Sequence, residues 1–502
     1  MKKLLLLLLC LSMLLSVTAG LASCNKNGNQ PTDGDNDTLG EIDETDPEAV
    51  LYEDLAKVNY AEGGTSKEFN ILNAESDWGL VTMDTDNIGT ALDSAIYSRN
   101  RYVEEQLGIL INVTQAEYHQ VNDNIYNLVA SNMYQYDICY NQSWKQTALV
   151  LNGVYMSANE YDQYLDFSKP WWYSDVLSDM TIANNLYLIA GDMNMMLNDS
   201  LWCLAFNVDI ITDHNAESPY RLVESGEWTY EKLYTLSKDT REEGKYGIVS
   251  HIALADALII GANLALTVKN EDGIISRNPI DDRFTTIYQT MVTYFFENNG
   301  MGEENAIRTA YDSENYTGGK FNTSFNQQNE FTTGNATFLG GTVGDMRVYL
   351  PSSEVEYGIV PIPKYEQSQK QYISYVYRAA SICGIPSNID QQAEGTLARV
   401  CNVMEWLNAY SYKLVKPVYY DVILYGRISR QPEAVDMLKI IFGLEDNGVK
   451  RMEMDGVLAL GMTNVLEVCA SDCSTGISGR IRVISELVDD TLNTTVKYYQ
   501  NN

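Results

Sequence analysis

The sequence predicts an α/β chain built on a mainly parallel sheet, and three observations carry that expectation. Short apolar strands alternate with helical patterns in the first part of the body. Apolar residues make up 45% of the chain and aromatic residues 11%, enough for sizeable cores. About 440 residues follow the N-terminal segment, a length that points to two or three domains.

In chain order, Glu68–Asn73 reads as a strand, Ala74–Gly79 as a loop and Arg99–Leu107 as a helix. Asn112–Thr114 and Tyr136–Tyr140 read as further strands, with a helix over Ile125–Ser131 between them. In parallel sheets the ligand crevice lies beyond the carboxyl ends of the strands. That rule draws attention to the loops at Ala74–Gly79 and Asn141–Trp144. Trp202–Asn207 is an apolar run fit for a buried strand, and Tyr246–Ser250 another. Thr229 can cap a helix carrying Glu231 in its first turn and Leu233 and Leu236 on one face. The prolines of Tyr357–Pro363 forbid a helix there. Leu397, Val400, Cys401, Met404 and Leu407 have helical spacing, and the chain from Val457 onward reads as mostly helical.

The N-terminus carries a processing signal. Met1-Lys2-Lys3 is basic, Leu4–Val17 is nearly unbroken apolar sequence, and small residues lead to Leu21-Ala22-Ser23-Cys24. That is the pattern of a secretory signal, and the apolar run is short for a membrane span. Leu-Ala-Ser-Cys resembles the bacterial lipobox, which implies a signal peptide over residues 1–23. Cys24 would be the acylated first residue of a protein anchored to the lipid bilayer on the extracytoplasmic face. Asn25–Pro47 is rich in Asn, Gly, Asp, Thr and Glu and cannot bury enough surface to offset its ordering entropy, so residues 24–66 are expected to form a flexible tether. Asp33–Asp37 lacks the glycine and glutamate of a calcium loop.

Charge and cysteine usage narrow the function classes. With 68 Asp+Glu against 34 Lys+Arg, the net charge is −34, and such a surface repels nucleic acid. The remaining body cysteines, from Cys139 to Cys473, are scattered, and only Cys469 and Cys473 are close enough to suggest a bridge. Three histidines and no Cys/His cluster leave no zinc motif. No Gly-x-Ser-x-Gly elbow, His-Glu-x-x-His or Walker loop is present, so no enzyme activity, cofactor or metal is expected.

Several segments then carry a resemblance. Tyr136-Asp137-Ile138-Cys139 is followed by Leu165-Asp166-Phe167-Ser168-Lys169-Pro170-Trp171-Trp172. Gly191-Asp192, Ala205-Phe206-Asn207 and Pro219–Val223 with Gly226-Glu227-Trp228-Thr229-Tyr230 come next, then Phe331–Phe338 and Tyr357–Pro363. In this order, from about Lys67 onward, the chain resembles the extracellular solute-binding lipoproteins of carbohydrate ABC importers, the family of maltose-binding protein.

The resemblance implies a two-lobed, type II periplasmic-binding-protein-like fold with the ligand in the interlobe cleft. It places the first lobe at 67–203 and 364–425 and the second at 204–363, with C-terminal helices at 426–502. Crossings would fall near Leu201–Asn207, Val360–Pro363 and Tyr420–Pro432. It further implies binding of a small solute, a mono- or oligosaccharide, and delivery to the permease subunits of an importer by hinge closure. Sugar sites combine aromatic plates with hydroxyl-binding polar groups. On that pattern the candidate ligand contacts are Glu75, Asp77, Trp78, Asn141, Trp144, Asn198, Asp199, His251, Asp256, Asp345 and Arg347. Gly340–Asp345 occupies the place where the family usually has a stacking tryptophan, and here there is none. Trp171, Trp172 and Trp228, with the run Met193, Met195 and Met196, read as packing. The acidic candidates Glu75, Asp77, Asp199 and Asp256 would also suit a cationic solute such as a polyamine. The same fold could equally hold a peptide or another non-sugar solute, or capture glycans at the cell surface without feeding a permease.

Overall fold

The computed structural model describes residues 49–62, 67–75, 90–296, 307–310, 327–421 and 433–501. The chain divides into two units, Met1–Asp46 and Pro47–Asn502, and every described strand belongs to the second. Its first three strands are β1 (Glu68–Ala74), β2 (Leu110–Ala116) and β3 (Ile138–Gln142). β1 lies between the other two and is parallel to both, with Ile71 opposite Val113 and Ile138. Phe69, Ile71, Leu72 and Ile138 are wholly buried, as expected where a parallel sheet is covered on both faces.

The connecting helices are α1 (Ala91–Leu107), α2 (Tyr118–Ala130) and α3 (Ser143–Leu151). Thr90 and Asp93 form a reciprocal capping box at the start of α1. At its end Gly108 has φ +63°, and a Cβ there would collide with Asn59 and Ala61. Only glycine satisfies both demands.

The second sheet contains β4 (Trp202–Asn207), β5 (Tyr246–His251), β8 (Ile307–Ala310), β9 (Ala336–Thr342) and β10 (Tyr357–Pro361), in the order β10-β4-β9-β5-β8. β6 (Thr267–Lys269) and β7 (Ile275–Arg277) form a separate hairpin. The helices following the second-sheet strands include α4 (Tyr230–Asp239), α5 (Leu254–Gly261) and α6 (Val343–Tyr349). Leu204, Ile248, Phe338, Ile359 and Val360 are wholly buried, on both faces of this sheet. β11 (Tyr372–Val376) pairs in parallel with β13 (Gly448–Met452), and β12 (Ser381–Gly384) returns to the first sheet, antiparallel to β3. Helices α7 (Thr396–Tyr410), α8 (Met462–Ser471) and α9 (Ile477–Asn501) complete the chain.

The chain passes from the first sheet to the second at Leu201–Trp202 and returns between Pro361 and Ser381. The return is longer than Val360–Pro363, because Val360 and Pro361 still pair with β4. The two passages are hydrogen-bonded neighbours: Leu201 bridges Val376, and the Tyr377 N–H donates to the Ser200 carbonyl at 2.9 Å. The expected third crossing, 420–432, lies almost wholly outside the described residues.

Residues 49–62, assigned to the tether from composition, are part of the folded body. Tyr52 stacks on Trp171 at 5.9 Å, the Trp406 Nε1–H donates to the Ala56 carbonyl at 3.1 Å, and the Tyr60 N–H reaches Leu107 O at 2.8 Å. Tyr52, Leu55 and Tyr60 are buried there. Three apolar side chains suffice to dock a short segment onto a preformed surface without any periodic pattern.

Trp171 and Trp172 are buried, and their Nε1–H groups donate to Glu405 Oε1 at 2.6 and 3.3 Å. Burial pushes the Glu405 carboxyl up to about 7 against the opposing pull of those two bonds. Trp228 donates to Pro361 O at 2.8 Å, and Met193, Met195 and Met196 are core. Among the described residues no disulfide is formed, and Cys469 and Cys473 are not bridged. Cys473 Sγ donates to the Phe296 carbonyl at 3.0 Å instead.

Candidate functional site

β2 and β3 end at Ala116 and Gln142, and α2 and α3 begin immediately beyond them. A cavity of about 610 Å³ opens at this point. One wall is formed by Tyr118 and His119 of α2 together with Gln142, Trp144 and Lys145 at the β3–α3 junction. The floor is the returning passage, Tyr377–Ala379. The opposite wall is the turn Gly456–Gly461 and the start of α8, at Thr463 and Asn464. Because α8 packs on α5, behind β5, the cavity lies between the first sheet and elements carried by the second.

Local hydrogen bonds fix each wall. Gln142 Oε1 accepts from Trp144 Nε1 at 2.7 Å, orienting the indole. The Ser143 N–H donates to Ala380 O at 2.8 Å and its hydroxyl to Arg378 O at 2.6 Å, tying α3 to the floor. Thr147 Oγ1 donates to Val457 O at 2.6 Å, joining α3 to the opposite turn. Asp455, fully buried, accepts from the Met462 and Thr463 N–H groups at 3.0 and 2.7 Å and so caps α8 from below. Gly461 takes φ +95° at that cap.

In the floor, Arg378 lies 3.1 Å from Glu467 and 3.6 Å from Asp256. Burial first, and the Glu467 charge second, hold the Asp256 carboxyl well above the usual carboxylate range. Lys145 Nζ sits 4.0 Å from the centre of the Trp144 ring and 5.6 Å from that of Tyr118. Burial lowers its pKa.

The sequence-derived candidates separate into groups. Trp144 lines the cavity. Asn141 stands behind it, wholly buried, its Nδ2 donating to Tyr118 O at 3.1 Å and Asn122 Oδ1 at 2.8 Å; it holds the start of α2 against β3. Asp256 backs Arg378 from within α5. Glu75 is exposed one residue past β1. Asp77, Trp78 and Cys24 lie outside the described residues.

The structure does not bring the other five to this cavity. Asn198 donates to the Tyr173 hydroxyl at 3.1 Å. Asp199, fully buried, takes Arg347 at 2.9 Å and the Tyr419 hydroxyl at 2.8 Å. β9 runs through Gly340–Thr342 rather than leaving a turn there, so Asp345 is used in the capping box of α6. His251 ends β5, with its Nδ1 accepting from the Ala253 N–H at 3.2 Å. Lys145 was readable as a neighbour of Trp144. Arg378 and the Gly456–Asn464 wall reach the cavity only through long-range folding and have no local sequence signal.

Among the described residues no group of His, Cys, Asp and Glu could hold a metal ion, and no helix is long and apolar enough to cross a membrane. Two α/β lobes, hydrogen-bonded crossing passages and a cavity at strand carboxyl ends define the type II periplasmic-binding-protein-like fold. Solved structures share it. The cyclic α-maltosyl-1,6-maltose binding protein from Arthrobacter globiformis is similar with a TM-score of 0.58 at 10% identity, over 87% of this chain and 100% of that one. UgpB from Mycobacterium tuberculosis in complex with glycerophosphocholine gives 0.55 at 12%, over 85% and 100%. The ABC substrate-binding protein Lmo0181 from Listeria monocytogenes in complex with cycloalternan gives 0.54 at 10%, over 86% and 100%. At such identities the likeness concerns the fold. No protein-family model and no curated protein matches the sequence.

Proposed function

We propose that this chain is the substrate-binding component of a carbohydrate ABC importer, anchored through acylated Cys24 to the extracytoplasmic face of a bacterial membrane. It captures a sugar or polyol by hinge closure and presents it to the permease subunits. The observation that carries this reading is the cavity between the lobes, where the oriented Trp144 indole stands among Gln142, Thr463 and Asn464. An aromatic plate with amide and hydroxyl groups around it suits the apolar face and polar rim of a saccharide. The neighbours named above supply the functional analogy, since their own ligands include a cyclic maltosyl sugar and cycloalternan. A polyamine ligand loses support: Asp199 is paired with Arg347, and Asp256 lies buried behind Arg378.

The test is a thermal-shift and calorimetric panel of mono- and oligosaccharides and polyols on the full chain. A true ligand at one hundred times Kd adds about 2.7 kcal/mol of stability. Trp144→Ala is expected to weaken binding about thirtyfold, roughly 2 kcal/mol for a buried aromatic contact. Trp171→Phe, a packing control, is expected to lower Tm with affinity near that of the unsubstituted chain. Loss of binding in Trp171→Phe with none in Trp144→Ala would refute this placement of the site. For the anchor, Cys24→Ala is expected to move the protein out of the detergent phase on partitioning; retention there at the original level rules out lipidation at Cys24.

A further inference from the structure

We propose that the captured solute is an anionic saccharide, its carboxylate, sulfate or phosphate received beside Lys145. The inference rests on reading the Trp144 cavity as the solute site and adds the charge of what enters it.

The first observation is a local reversal of charge. Acidic residues outnumber basic ones two to one in this chain, yet among the described residues lining the cavity there is no Asp or Glu. The ionisable groups there, phenols aside, are His119, Lys145 and Arg378. Arg378 already has counter-charge from Glu467 beneath it. Lys145 does not: among the described residues no carboxylate lies within 4 Å of its Nζ, which rests on the Trp144 and Tyr118 rings. A half-buried ammonium with only π-faces as partners is under-compensated.

The second observation is the direction of the helices. α2, α3 and α8, of 13, 9 and 10 residues, all begin at the cavity wall. In none does the N-cap side chain accept from the first turn. Glu117 precedes α2, but it makes no capping bond and does not line the cavity. Each helix start carries about half a positive charge; that of α8 is met by the buried Asp455 carboxylate, and those of α2 and α3 reinforce the ammonium. Burial also depresses Lys145, and an incoming anion relieves that penalty by supplying the missing charge. Neutral sugars gain nothing from this arrangement. An acidic sugar gains a charge-assisted hydrogen bond at the edge of the same aromatic plate.

The experiment titrates the full chain by calorimetry with matched probes: digalacturonate against galactobiose, glucose 1-phosphate against glucose, and inorganic phosphate alone. Each is run at low and high NaCl. One anionic sugar is expected to bind at least about tenfold more tightly than its neutral counterpart, the preference shrinking with salt. Lys145→Met, with Tm checked, is expected to lose about tenfold or more of that affinity, and Lys145→Arg to recover most of it. Equal affinity for neutral and anionic partners, with Lys145→Met without effect and Trp144→Ala still damaging, overturns the charge inference alone. Binding of inorganic phosphate as tight as that of any saccharide overturns it too. No saccharide binding of either kind overturns both this inference and the function on which it rests.

Discussion

Arg399→Leu is expected to lower the unfolding free energy by about 3–5 kcal/mol, the usual penalty for stranding one half of a buried ion pair. Arg399 Nη2 lies 2.6 Å from Asp137 Oδ1, and both side chains are only 2% exposed. The guanidinium also donates to the Glu68 carbonyl at 2.9 Å, while Asp137 accepts from the Asn70 N–H at 2.7 Å and the Tyr134 hydroxyl at 2.8 Å. One arginine on α7 therefore fastens the returning segment to the starts of β1 and β3. With leucine in its place the Asp137 carboxylate remains in the interior, its countercharge gone. Arg399→Leu combined with Asp137→Leu should recover part of the loss, because the stranded charge is then absent as well. Urea denaturation of the three proteins decides; a single-variant loss below about 1 kcal/mol would mean water reaches the pair.

Arg347→Met is expected to be comparably destabilising, by about 3–5 kcal/mol, and to change the affinity of the Trp144 cavity by less than about threefold. Asp199 is fully buried, and its two oxygens are met by Arg347 at 2.9 Å and Tyr419 at 2.8 Å. The pair locks α6, after the second-sheet strand β9, to the short helix Met196–Asp199 just ahead of the first crossing. Sequence similarity alone put both residues at the ligand. Stability and affinity separate the two roles. A protein that keeps its urea midpoint but loses ligand would return Asp199 and Arg347 to the binding site.

What could be read in advance follows from how local each signal is. β4 was legible to the residue, Trp202–Asn207, because six consecutive buried positions leave a continuous apolar run. Trp144 was legible as a strand-end aromatic through the crevice rule. Asp199 and Arg347 were not legible as partners, being 148 residues apart and each an ordinary polar residue in its own surroundings. Asp345 was misread because Thr342 and Asp345 spell a capping box only once the strand is known to extend through Gly340 and Gly341. Arg378 gave no warning, since its place in the cavity floor depends on where the return passage meets α5 and α8.

The docked segment 49–62 also has a mechanical consequence. It is held by Trp171, Trp406 and Leu107, around the first sheet, and at no point by the paired passages at Leu201 and Val376. Tension arriving along the chain from its N-terminal side is borne by that stack of aromatic rings. The paired passages between the two sheets lie beyond that stack in the chain and are spared the pull.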